Sequence, residues 1–268
     1  MTAYFSRAAL IALSASAFAV SVQASLLSWT ASNFAAFSDP AAPSFDSDFT
    51  DASVQQSTLT RGSSLAPSDT FASVFGATGY STSLDLATAQ GEGSFWEFAV
   101  TPETGEMLDF TSLDVNIGTN NTFIFDDGGF EFVQGPSRLA LGYSFSADPA
   151  TDLFVPIAPS PDIILRNTEG TVREIAGITN TEWDLTFLQS IQTTVYFRLY
   201  LFGATDSLAE AFIGTNGGTS PLVGPPDLSV NGVGTPVPEP AGIAALMGLA
   251  ALAVTRFRRR RKSTLVTE

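Results

Sequence analysis

The chain has 268 residues, no cysteine, no histidine and a formal net charge of -15. Without cysteine there is no disulfide, thiolate metal site or cysteine nucleophile; without histidine neither a Ser-His-Asp triad nor a His-Glu-x-x-His zinc site can be built. Charge is segregated: residues 25–235 hold 25 acids against Arg61, Arg138, Arg166, Arg173 and Arg198, a net of -20, and such a surface repels nucleic acid.

Residues 1–24 read as a secretory signal helix. Arg7 supplies the positive n-region, Ala8 to Val20 the apolar stretch, and Val22-Gln23-Ala24 the residues a signal peptidase reads, so cleavage is expected between Ala24 and Ser25. Residues 32–70, rich in Ser, Ala, Asp and Thr, read as an extended lead-in or long loop. Asp46, Asp48 and Asp51 cluster there, but the sixth position of an EF-hand loop would be Asp51 instead of glycine and the twelfth Ser57 instead of glutamate.

Period-2 alternation then dominates. Trp96, Phe98 and Val100 share one face; Leu113, Val115 and Ile117 share another, opposite Asp114 and Asn116. Asp126-Asp127-Gly128-Gly129 is a turn signal between apolar runs, and its carboxylates are also candidate Ca²⁺ ligands. Trp183, Leu185 and Phe187 oppose Asp184 and Thr186. From Thr194 to Phe202, Val195, Phe197, Leu199 and Leu201 line one side, with Tyr196, Arg198 and Tyr200 on the other. A helical turn is expected near Asp206 to Phe212, and a last strand near 228–231 carrying Leu228 and Val230, followed by a short tether. The body, 25–235, is therefore an antiparallel β-sandwich, jelly-roll-like, in an all-β chain.

At the end, Thr235-Pro236-Val237-Pro238-Glu239-Pro240 is stiff and Pro-rich. Ala241 to Thr255 is apolar, and Arg256, Arg258, Arg259, Arg260, Arg261 and Lys262 form a stop-transfer cluster that the positive-inside rule keeps in the cytoplasm. The 15 residues of the apolar run span about 22 Å as a transmembrane helix, short of the ~30 Å hydrocarbon core.

In order and in motif (Pro238-Glu239-Pro240, short span, Arg258 to Arg261) residues 236–262 resemble the PEP-CTERM sorting signal. The resemblance implies handling by an exosortase, a membrane transpeptidase of Gram-negative bacteria that make exopolysaccharide. It also implies an inner-membrane intermediate and a final place at the cell surface or in the extracellular matrix. Leu59-Thr60-Arg61-Gly62, Phe95 to Pro102, Phe197 to Tyr200 and Asp227 to Gly232 are similar, more loosely, to jelly-roll regions that precede such tails.

Three readings of the body follow. The first is a non-enzymatic structural or interaction module of the envelope or exopolysaccharide matrix. The second is a carbohydrate-binding module, calcium-stabilised, with Tyr196, Arg198 and Tyr200 as the stacking stripe and Asp126 and Asp127 as metal ligands. The third is a carboxylate glycosidase drawing on Glu92, Glu97 or Glu131. Trp96 and Trp183, on apolar faces, are expected in the core.

Overall fold

A computed structural model describes residues 24–31, 42–68, 74–126, 129–146, 154–157, 163–164, 176–214, 226–238 and 252. The strands in chain order are β1 (Ala24–Trp29), β2 (Ser44–Asp46), β3 (Phe49–Thr50), β4 (Thr58–Arg61), β5 (Ala66–Ser68) and β6 (Phe75–Thr78). A short helix α1 (Leu86–Glu92) precedes β7 (Phe95–Val100), β8 (Glu106–Asp126), β9 (Gly129–Gln134), β10 (Arg138–Ser144), β11 (Val155–Pro156) and β12 (Ile163–Ile164). The chain ends with β13 (Ala176–Asp184), β14 (Val195–Phe202), β15 (Glu210–Ile213) and β16 (Leu228–Pro236).

Among the described residues these make two antiparallel sheets. The larger runs β3-β1-β16-β8-β15-β6-β5, with β13 and β9 also on β8; the smaller runs β11-β10-β14-β7-β4-β2, with β12 also on β10. The all-β sandwich expected from alternation is what the chain forms. Three local expectations differ. The lead-in contains β2 to β5. Residues 206–209 make a turn, closed by Ala209 N–H donating to Asp206 O, and then enter strand β15 in place of a helical turn. Finally, β16 runs to Pro236, where a tether was expected after 231.

Both inner faces are apolar because side chains two apart share a face. Trp96, Phe98 and Val100 are buried on β7, Leu113, Val115 and Ile117 on β8, and Val195, Phe197, Leu199 and Leu201 on β14. Rings stitch the sheets together: Trp29 meets Phe98 at 5.0 Å, Phe98 stacks on Phe197 at 5.4 Å, and Phe197 meets Phe110 at 6.0 Å. Losing one such buried ring to alanine costs about 3–5 kcal/mol. Trp183 is fully buried as expected, and Trp29 joins it, its indole N–H donating to Phe45 O at 3.1 Å.

β16 lies between β1 and β8, and both neighbours bulge against it. The register with β8 slips between Asn231 and Gly232, leaving Thr111 as the extra residue; that with β1 slips at Leu26. A bulge inverts the alternation. Leu108 and Phe110 therefore point inward before the slip and Leu113 and Val115 after it, while adjacent Leu26 and Leu27 are both buried. Gly232 sits at the slip, where a Cβ would come within 2.5 Å of the Asp109 carbonyl oxygen.

Helix α1 is short and was not anticipated. Asp85 caps it by accepting from Thr88 N–H at 2.9 Å, and Gly93 closes it in the left-handed region, φ 78°. It lies on the outer face of the smaller sheet, where Ala89 packs with Ala140, Phe154, Tyr200 and Phe202 in a second apolar cluster.

Candidate functional site

The Tyr196-Arg198-Tyr200 stripe faces away from the main core, as alternation requires, yet it is covered. Helix α1 and Phe154 of the β11 segment lie over it, and Arg198 is only 5% exposed. Its Nε donates to Glu97 Oε2 at 2.5 Å across the β14–β7 pair. Its guanidinium carbon stands 4.0 Å from the ring centres of both Phe95 and Phe154. Tyr200 is buried beside it, and desolvation pushes its phenol up to about 12 despite the neighbouring guanidinium. Tyr196 is half-buried. The arrangement is a clamp: a desolvated cation, its carboxylate and two rings hold Phe154 of the β11 segment against the sheet, and α1 packs beside it through Ala89 against Tyr200. A sugar stacking on this stripe would first have to displace Phe154. Of the other candidate carboxylates, Glu92 is exposed at the last position of α1, and the Glu131 side chain lies outside those described.

A second polar cluster joins β4 to β6, and β5 to β15. Arg61 donates from Nε to Gly76 O at 2.9 Å and from Nη1 to Ala42 O, with its guanidinium 3.7 Å from the centre of the Phe75 ring. Burial lowers its pKa to about 10. Glu210, buried on β15, accepts from Ser68 Oγ on β5 at 2.5 Å. Tyr80 donates its O–H to Ala211 O at 3.2 Å, and burial raises its pKa. The segments carrying the looser resemblance thus supply frame contacts: β4, β7 and β14 are consecutive in one sheet and β16 is central in the other.

The carboxylates Asp46, Asp48 and Asp51 do not converge. Asp46 accepts from Thr58 Oγ1 at 2.6 Å, Asp48 from Ser28 Oγ at 3.5 Å, and Asp51 from Ser53 N–H and Oγ at 2.9 and 2.6 Å. Ser53 holds the Asp51 carboxyl below its ordinary value. Asp126 pairs with Gly129 across the β8–β9 hairpin; Asp127 lies outside the described residues. No group of three or more acidic, Cys or His side chains able to hold a metal occurs among the described residues.

The two chain ends leave the body together. β1 starts with Ala24 opposite Gly232 and Ser25 opposite Asn231, so the expected cleavage point falls between the first two residues of β1, where they pair with β16. β16 continues until Pro236 pairs with Glu106, and Val237 N–H donates to Gly105 O at 2.8 Å. Exposed Pro238 is therefore one residue past the last body hydrogen bond. Glu239, Pro240, the apolar run and the cluster Arg256, Arg258, Arg259, Arg260, Arg261 and Lys262 lie outside the described residues, as do residues 1–23. No helix among the described residues is long and apolar enough to cross a membrane.

One surface was not anticipated. The inner face of β10 continues past the sandwich as Tyr143 and Phe145, and the face of Trp183 and Leu185 continues as Phe187. Tyr143 meets Phe187 at 5.4 Å and Phe145 at 5.9 Å. Val155 pairs with Tyr143 on β11 and so shares its face. Phe145, Val155 and Phe187 are 52%, 51% and 52% exposed, an apolar rim where the core crops out between the sheets. The signal was present: both alternations carry on after their strands end, with Phe145 beyond β10 and Phe187 beyond β13.

Comparison with protein-family models, with curated proteins and with solved structures finds no match to this chain in any of the three.

Proposed function

We propose that this is an exported surface protein whose jelly-roll-like β-sandwich is displayed by a C-terminal sorting tail and acts, without catalysis, as a structural or interaction module of the envelope or exopolysaccharide matrix. In this reading Pro238-Glu239-Pro240 is presented to an exosortase-type membrane transpeptidase. Residues 241–255 hold the chain transiently in the inner membrane, and the basic cluster fixes orientation. The observation that carries it is the junction. β16 is bonded to β8 as far as Pro236 and Val237 N–H donates to Gly105 O, so the motif begins one residue past the last body hydrogen bond, and its prolines favour the extended backbone a protease cleft requires. Glu97 and Arg198, the best-placed ionisable pair, serve packing, which favours an interaction body over a catalytic one.

The test is the mass of the C-terminal peptide in each cell fraction. Wild-type protein at its final location should lack residues after the Pro-Glu-Pro motif. Replacing Pro238, Glu239 and Pro240 with alanine should leave uncleaved protein in the inner membrane with the body outside. Wild-type protein that keeps Glu268 at its final location, in cells making a matching exosortase, sinks the sorting reading.

A further inference from the structure

The apolar rim and the tail exit share one end of the body. Along β8, Pro236 pairs with Glu106, while Leu188 O accepts from Phe110 N–H on the opposite edge, placing Phe187 beside it. The two points are four residues apart along β8 and two strand spacings apart across it. That is about 13 Å by 10 Å. Phe145 follows Ser144, which pairs with Tyr196, next to Val195 and its partner Val100 at the end of β7. The chain returns from there through 101–105 to Glu106, so the rim's second sheet ends on the same side. Loop 205–209 lies at the far end, where Thr205 N–H donates to Gln134 O.

The tether is short. From Pro238 to Ala241 is three residues, at most about 10 Å even when fully extended. If 241–255 is in the bilayer, the end bearing the rim cannot be held away from it. The exposed area favours lipid over a protein partner. Three half-exposed apolar side chains offer roughly 250–300 Å², well under the ~800 Å² per partner of a stable protein interface. Such an area suffices once a tether supplies a high effective concentration.

We propose that, while the tail anchors the chain, the body leans on the outer leaflet through Phe145, Val155 and Phe187 around Tyr143, with these side chains in the interfacial lipid. This rests on the membrane reading of the tail. Glu103, Glu106, Asp109 and Asp184 flank the same end, so the surface it accepts is zwitterionic; anionic lipid repels it at low salt.

The absence of cysteine permits a clean test. Full-length chain carrying a single bimane label at Ser146→Cys, Thr186→Cys, Ser207→Cys or Ala245→Cys is reconstituted in phosphatidylcholine vesicles containing a shallow lipid-borne nitroxide quencher. Labels at 146 and 186 should be quenched several-fold more than the label at 207. Phe145→Ser with Phe187→Ser should abolish that difference without altering the melt, since both rings are half-exposed. Replacing part of the phosphatidylcholine with phosphatidylglycerol should reduce quenching at low salt, and added NaCl should restore it. If 245 is quenched while 146 and 186 stay at the level of 207, the tail reading stands and the leaning body is refuted. If 245 is unquenched as well, the membrane reading of the tail fails and takes this inference with it. Quenching at 146 and 186 that survives the double serine variant, or that is displaced by exopolysaccharide binding the rim, also overturns the proposal.

Discussion

Removing the carboxylate of Glu97 should damage this protein more than removing the cation it serves. The Arg198 and Glu97 side chains are 6% and 25% exposed. In Glu97→Ala the guanidinium stays desolvated between Phe95 and Phe154 with no counter-charge, a situation that costs about 3 kcal/mol. In Arg198→Met an apolar chain of similar reach fills the slot between the rings, and Glu97 can turn to water. The lost ring contacts and ion pair then cost about 1–2 kcal/mol. The double variant should resemble Arg198→Met alone, because the stranded charge is gone, giving a coupling equal to the whole cost of Glu97→Ala, about 3 kcal/mol. For a body of this size each kcal/mol moves the melting temperature by about 2–4 °C, so Glu97→Ala should melt about 6–12 °C lower. Urea unfolding followed by tryptophan emission suits the measurement, since Trp29, Trp96 and Trp183 are all buried and redden when released. Single variants costing under about 0.5 kcal/mol each would behave like an exposed ion pair. That result would refute the clamp and return the Tyr196-Arg198-Tyr200 stripe to the list of available binding surfaces.

Other outcomes follow from the same contacts. A chain stopped after Pro238 should fold, whereas one stopped at Gly224 loses β16 and should not; circular dichroism of the two purified chains decides it. Asp114 is half-buried, directly opposite Glu182, and desolvation raises its pKa, partly offset by Ser112 and Asn231. A raised carboxyl stabilises the fold below its unfolded value and loses that contribution as pH climbs through the folded one. Asp114→Asn, which can still accept from Asn231, should therefore stabilise by a few tenths of a kcal/mol at neutral pH after solvent screening, and not at all below about pH 3. Asp51 has the opposite sign: its carboxyl is lowered by Ser53, so its contribution is present above the usual value and disappears as pH falls through the lowered one, and Asp51→Asn should flatten the acid limb of the stability curve. The body's charge of -20 should make its melting temperature respond to cations. A gain with millimolar Ca²⁺ beyond matched Mg²⁺ and NaCl would point to a specific site, equal gains to screening, and no gain with any would contradict both.

Alternation made the framework legible wherever it was uninterrupted: Trp96 to Val100, Leu113 to Ile117 and Val195 to Leu201 fall on the faces it assigns. It failed where backbone and not side chains decides. Gly232, Gly234, Thr235 and Pro236 look like linker by propensity, and they are strand because β8 continues to pair with β16 as far as Pro236, beyond Gly232 where its pairing with β1 stops. Helix α1 has only Asp85, Thr88 and Gly93 to announce it, and Gly91 within it argues against a helix. The stripe on β14 was visible in the sequence, but its cover was not. Phe154 lies 44 residues from Arg198, and no local pattern says which distant ring will close over an alternating face. The rim went unread for a related reason: a period-2 pattern gives the face of Phe187, not the point at which that face runs out of partners.

The position of β16 bears on biogenesis. A polypeptide threaded outward from its N-terminus delivers β1 first and β16 last, and the two are neighbours separated by some 200 positions in the chain. Until the final strand arrives, the larger sheet is split into two halves with raw edges on β1 and β8, the kind of surface that recruits other strands. Closure is a late, long-range event and correspondingly slow. If the chain is cut between Ala24 and Ser25, as the leader reading expects, the bond lies at the start of β1 and is most open before β16 pairs with it. On that reading, a precursor that closed early would carry the bond at the paired end of β1, so leader removal and arrival of the last strand would compete in time.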